Sequence, residues 1–107
     1  MVWIYLVLAG LFEIGWPLGF KLAQSPDHRF VGIALSIVSM MLSGALLFIA
    51  QREIPIGTAY AIWTGIGAMG TFLIGVIFFN DPSTMMRYFG LFLILGGVIT
   101  LKLGHAG

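Results

Sequence analysis

Cysteine is absent from this 107-residue chain. That excludes a disulfide framework and a thiolate metal site, and it removes the usual clue to redox compartment. Charge is scarce too: only 8% of the residues are Asp, Glu, Lys or Arg, against about 25% in soluble domains. The net charge is +1 with no basic patch, so nothing points to nucleic acid. Polar stretches are short, which leaves no room for a soluble catalytic domain. His28 and His105 have no partner at ligand spacing, so no metal site is expected. No nucleophile–base pair stands out, which argues against an enzyme, and no residue set calls for a cofactor.

What fills the chain is apolar sequence, 60% by residue. This composition predicts an all-α membrane protein with four transmembrane helices. The spans are expected at about residues 2–23, 30–50, 55–79 and 84–103, forming a single four-helix transmembrane domain over residues 1–107. The N-terminus lacks a basic n-region and a clear A-x-A cleavage site, so the first span is expected to be retained. Pro55 suits the first turn of the third helix, where its missing N–H is not needed. Asp81-Pro82 reads as an N-cap followed by proline at the start of the fourth.

Glu13 is the only charge between Val2 and Phe20, and it lies near the middle of the first span. A carboxyl there costs about 2.5–3.5 kcal/mol on insertion scales and normally faces a protein interior or a water-filled cavity. Two readings stand side by side: a substrate or proton site, and a structural carboxyl bonded to a neighbouring helix. Glu13, Trp16, Pro17 and Phe20 share one helical face, as do Ser36, Ser39 and Ser43, and Tyr60, Trp63, Thr64 and Gly67. A carboxylate, hydroxyls and aromatic rings are what an organic-cation site needs. The alternatives are serines bonded back to their own helix and aromatics that only pack. Pro17 cannot donate to the carbonyl four residues back, which belongs to Glu13 itself. Either a kink or a free acceptor beside the carboxylate follows.

Glycine is abundant, at 15 residues. Gly15 and Gly19 form a GxxxG, Gly57, Ala61 and Gly65 recur every four residues, and Gly90 and Gly97 are seven apart. Small residues at such spacings let helices approach closely. Gly65, Gly67 and Gly70 match GxGxxG but lie inside an apolar helix without a preceding strand, so a dinucleotide site is not expected. Four helices place both termini on one side. That side carries Arg52 and Lys102, and the other Lys21, Arg29 and Arg87. So weak a bias permits insertion both ways, and thus an antiparallel dimer from one sequence.

Ala9-Gly10-Leu11-Phe12-Glu13, Lys21 at the end of the first span, the run from Pro55 to Ala68 (PIGTAYAIWTGIGA) and the run from Gly90 to Val98 (GLFLILGGV) resemble the small multidrug resistance transporters. The resemblance covers nearly the whole chain. It implies an antiparallel dual-topology homodimer in the inner membrane, with a shared site on Glu13 and proton-coupled export of a cation. Thr58, Thr64 and Trp16 look like the guanidinium-exporter branch. That resemblance implies that Glu13 binds substrate and proton, Ser43 hydrogen-bonds the glutamate, Trp16 and Trp63 wall the site, and Tyr60 gates it. Ser39, Thr64 and Pro17 are further candidates for its lining. Pro17 and the longer, proline-containing first loop depart from the family pattern. The implied partners are a small guanidinyl cation, protons, the lipid bilayer and a second copy of the chain. The alternatives are a polyaromatic or quaternary ammonium exporter and a non-transporting membrane subunit.

Overall fold

The structure, a computed structural model, describes residues 2–104. His105 lies outside them. The described residues form helices and no strand. The first span is two helices, α1 (Val2–Glu13) and α2 (Gly15–Ala23). Pro17 accounts for the break at Ile14, because it has no amide to give the Glu13 carbonyl. The Ile14 amide donates to Leu11 O at 3.2 Å, three residues back instead of four, which tightens the turn there. Ile14 keeps right-handed helical angles, so the two halves run on in one direction.

A short 3-10 turn, Pro26–His28, leads into α3 (Arg29–Ala50). Arg29 Nε donates to Ala23 O at 3.2 Å, satisfying a carbonyl at the end of α2. The next helix, α4, covers Ile56–Phe78 with Pro55 as its N-cap. The proline therefore stands one position ahead of the first turn. A left-handed Asn80, at φ 57°, ends the turn after α4; asparagine tolerates that region better than most residues.

The last helix, α5, covers Met85–Gly104. Its N-cap is Thr84, whose Oγ1 accepts from Arg87 N at 3.3 Å. The expected cap at Asp81 is therefore corrected. Asp81 is tied back to the preceding helix instead, its amide donating to Gly75 O at 3.1 Å. Four helical stretches are long and apolar enough to cross a membrane: Val2–Ala23, Pro26–Ala50, Ile56–Phe78 and Met85–Gly104.

The first span lies at the centre, against α3 on one side and α4 on the other, while α5 packs mainly on α4. Gly19 and Gly32 meet where the antiparallel α2 and α3 cross. A Cβ on Gly32 would lie 2.5 Å from Ala23 N, so only glycine fits there without a backbone shift. Gly15 receives Ser39 on the same seam, 2.6 Å from its Cβ to a Cβ built on the glycine. Leu6, Ala50, Ile54, Ala59 and Ile62 form a small core at one end.

None of the residues in α5 is buried. Its Gly90, Gly96 and Gly97 have open space where a side chain would be. The backbone fills a slab of 48 × 34 × 17 Å. The long dimension matches a bilayer of about 40–45 Å with its headgroups. The thickness admits two helix layers at an axis spacing of about 8–10 Å, so no side chain lies far from a face.

Candidate functional site

Glu13 is the last residue of α1 and is half-buried. It sits there because Gly67 of α4 leaves the space: a Cβ on Gly67 would lie 2.6 Å from Glu13 Cγ. The neighbouring glycines act alike. A Cβ on Gly65 would meet Val98 Cγ2 at 2.5 Å, and one on Gly70 would meet Ile14 Cγ1 at 2.7 Å. The GxGxxG run is thus three close approaches of α4 to its neighbours.

Glu13 opens into a groove of about 230 Å³. Trp16 and Pro17 line it from the first span, and Thr64, Gly67, Ala68 and Thr71 from α4. The carboxylate has neither a hydrogen bond nor an ion pair among the described residues. Trp16 is half-buried, and Phe20 meets its ring edge-on at 5.4 Å and 76°. Phe20 itself is 50% exposed and does not line the groove. Thr71 was not singled out in the sequence. Its signal is position: with Thr64, Gly67 and Ala68 it completes one stripe of α4 at spacings of three and four.

The serines behave differently from either expectation. Ser43 Oγ donates to Ala9 O at 2.7 Å and accepts from Trp63 Nε1 at 2.8 Å. Its one proton is committed to a backbone carbonyl, so the expected bond from Ser43 to the glutamate is corrected. The Ala9 carbonyl is the helical acceptor for the residue 13 amide, so Ser43 touches the backbone that carries Glu13 rather than its carboxylate. Ser36 Oγ donates to Trp16 O at 2.8 Å. Both bonds cross to the first span instead of returning to α3, and such interhelical bonds contribute about 0.6 kcal/mol on average within a membrane. Ser39 is buried against Gly15 and is not part of the groove lining.

Trp63 turns its indole toward Ser43 and packs on the core, so it does not line the Glu13 groove. Tyr60 is 57% exposed, with its ring 5.4 Å from that of Trp63. It lines a second groove, about 460 Å³, between α4 and α5. Thr64 and Ala68 belong to both grooves, so Tyr60 stands next to the Glu13 site and not in it.

Four of the five basic residues lie near helix ends against rings. Lys21 lies 5.8 Å from the Phe79 centroid, Arg52 5.4 Å from Phe48, Arg87 5.1 Å from Phe72 and Lys102 4.5 Å from Trp3. Such contacts suit the interface, where a cation and an aromatic ring both keep access to water. His28 is exposed in the 3-10 turn. Among the described residues no three His, Cys, Asp or Glu side chains are grouped to hold a metal ion.

Four spanning helices that carry an unpaired carboxylate in a groove with one indole ring and two hydroxyls define a small multi-pass membrane protein with an ionisable intramembrane site. The chain belongs to the small multidrug resistance family: the model for the Small Multidrug Resistance protein matches residues 1–94. It is 43% identical over 103 residues to a guanidinium exporter of Yersinia pseudotuberculosis, covering 96% of this chain and 98% of that one. It is 42% identical over 103 residues to the guanidinium exporter of Escherichia coli K12, covering 96% and 97%, and equally to that of Salmonella typhimurium. Membership makes it a multi-pass protein of the inner membrane.

Proposed function

We propose that this chain exports guanidinium or small substituted guanidinyl cations, such as guanylurea, across the inner membrane in exchange for protons. The observation that carries the reading is the unpaired Glu13 carboxylate in its groove. A planar guanidinium presents two parallel N–H groups to a carboxylate. Its remaining donors find the hydroxyls of Thr64 and Thr71, and the face of Trp16 supplies a π surface. The similarity to guanidinium exporters over almost the whole chain supports the same cation.

Proton coupling follows from a shared site. Protonating Glu13 removes the charge that holds the cation, and binding the cation expels the proton. Glu13 is thus the residue for substrate and proton. Trp16, Pro17 and Thr64 line the site. Trp63, which packs on the core and does not line the groove, backs it from there, and Tyr60 gates it from the neighbouring groove. Ser43 holds the Trp63 indole in place. Ser39 acts through the α2–α3 seam. Such a protein is a transporter and not an enzyme.

The whole chain works in this reading as one four-helix transmembrane domain, and two copies in opposite orientations make the transporter. Three features support that arrangement. The Lys and Arg counts on the two sides are nearly equal. The groove at Glu13 opens on a thin slab. Gly90, Gly96 and Gly97 of α5 have nothing against them within the protomer. Alternating access then exchanges the conformations of the two copies around a fixed site.

A quaternary ammonium exporter is the rival that the ring of Trp16 favours. The test is proton-driven uptake in proteoliposomes with a panel of guanidinyl and quaternary ammonium cations. Guanidinium and guanylurea should be taken up, and tetraalkylammonium ions should not. Glu13→Gln should abolish uphill transport while leaving the protein folded. Uphill guanidinium transport by that variant would remove Glu13 from the coupling role and leave only a structural carboxyl.

A further inference from the structure

A second cavity, about 170 Å³, lies beyond the Glu13 groove toward the end of the first span. Pro17 and Thr71 line both cavities, so the two share a wall. The second is otherwise apolar, with Ile14, Leu18, Ile74 and Phe79 around it, except for one cation and one anion: Lys21 and Asp81.

These two charges are held in separate ways. Asp81 follows the left-handed Asn80, and its amide is bonded to Gly75 O at 3.1 Å. Its carboxylate lies against Gly75, 3.0 Å from its Cγ to a Cβ built on that glycine, so only glycine there leaves room for it. Lys21 sits over the Phe79 ring, 5.8 Å from its centroid. Among the described residues neither Lys21 nor Asp81 has an ion-pair partner. Two opposite charges therefore face one small cavity without neutralising each other by contact.

A turn that aims a carboxylate into a cavity is not needed to end α4 or to cap α5. The left-handed Asn80 does the first and Thr84 the second. We propose that this cavity is an outer station for the transported cation. In it a guanidinyl cation docks on the Asp81 carboxylate before it passes Pro17 and Thr71 to Glu13. Lys21 opposes it there by charge repulsion and keeps the station's hold weak. A weak station is what transport requires, since a cation bound as tightly there as at Glu13 would stall. In an antiparallel pair each membrane face carries one such station.

The inference rests on the guanidinyl-exporter reading, and the experiment separates the two. Initial rates of guanidinium transport are measured in proteoliposomes for the unmodified protein, Asp81→Asn, Asp81→Glu and Lys21→Gln, at low and at high salt. Removing the attracting charge should raise the KM of Asp81→Asn for guanidinium roughly three- to tenfold. The deficit should vanish at saturating substrate, and Asp81→Glu should restore the lower KM. Lys21→Gln should move the KM the other way. The reach of an exposed charge falls to about 10 Å at 0.1 M salt and shortens further above it, so the gap between the unmodified protein and Asp81→Asn should narrow as salt rises. A merely structural Asp81 would lower the maximal rate, with no opposite shift in Lys21→Gln. An unchanged KM in Asp81→Asn and Lys21→Gln alike, in a protein that transports guanidinium through Glu13, overturns the station and leaves the proposed function standing. Should Asp81→Asn not fold, a KM for Lys21→Gln that is unchanged or raised overturns it equally. No guanidinium transport by the unmodified protein overturns the proposed function itself.

Discussion

At the scale of single residues, Gly67 carries the sharpest consequence. Adding a methyl group there sets a Cβ 2.6 Å from Glu13 Cγ and must push the carboxylate aside. A displacement near 1 Å costs up to about a hundredfold in positioned chemistry. Gly67→Ala should therefore reduce guanidinium transport roughly ten- to a hundredfold, while Gly57→Ala, with open space around it, should not. Proteoliposome flux at matched protein content checks this. Pro17 leaves the Glu13 carbonyl without its helical donor, and a buried acceptor left unpaired costs about 1–3 kcal/mol. A substituted guanidinyl cation has an extra donor to offer it. Pro17→Ala should consequently lose guanylurea transport more than guanidinium transport. Equal changes in both would make Pro17 only a break in the helix. Glu13, Trp16 and Pro17 fall on one face by spacing, and the structure brings all three to one groove, which Thr64 joins from α4. Thr71 belongs to the same stripe of α4, but a threonine in an apolar helix is as readily bonded to its own backbone as placed in a groove. The destination of the Ser43 proton is not legible in the sequence, because Ala9 O becomes its acceptor only once α1 and α3 have packed.

At the scale of elements, the apolar runs announce the helices because nothing else in the chain competes for them. The ends were harder. Asp81-Pro82 has the look of a cap, yet the left-handed turn at Asn80 folds Asp81 back toward Gly75 and hands the cap to Thr84. Local sequence cannot show a turn that depends on a glycine six residues earlier. The GxxxG of the first span finds its partner inside the protomer, at Gly32 and the serines of α3. The glycines of α5 find none there. The two patterns look alike in sequence, because spacing records that a helix can be approached and not by what. Gly32→Ala should test the first. Its Cβ would meet the α2 backbone at Ala23 N, 2.5 Å away, and overpacking of this kind costs about 1–3 kcal/mol. The variant should unfold at lower SDS mole fraction in mixed micelles, while Gly44→Ala, with nothing within 4 Å, should match the parent.

At the scale of the whole molecule, charge balance is the quantity that matters. The side bearing Lys21, Arg29 and Arg87 has one more basic residue than the side bearing Arg52 and Lys102. So small a difference should leave the chain in both orientations, and single-cysteine labelling from each side of the membrane should find both. Two added lysines at one end should fix the orientation and lower transport when that variant is expressed alone, and co-expression with a variant fixed the other way should restore it. Labelling of the parent from one side only would rule out the antiparallel homodimer.

The bare outer face of α5 makes crowding a variable. Its own protomer covers it only along α4, and no residue of the helix is buried. With pairing through that helix, copies spread thinly through a bilayer leave it bathed in lipid and leave the Glu13 groove without its second wall. Specific activity, the flux per chain, then climbs with the protein-to-lipid ratio before levelling off. A cell that makes few copies exports less per copy than a cell that makes many, so a modest change in expression is amplified at low dose and muted at high dose.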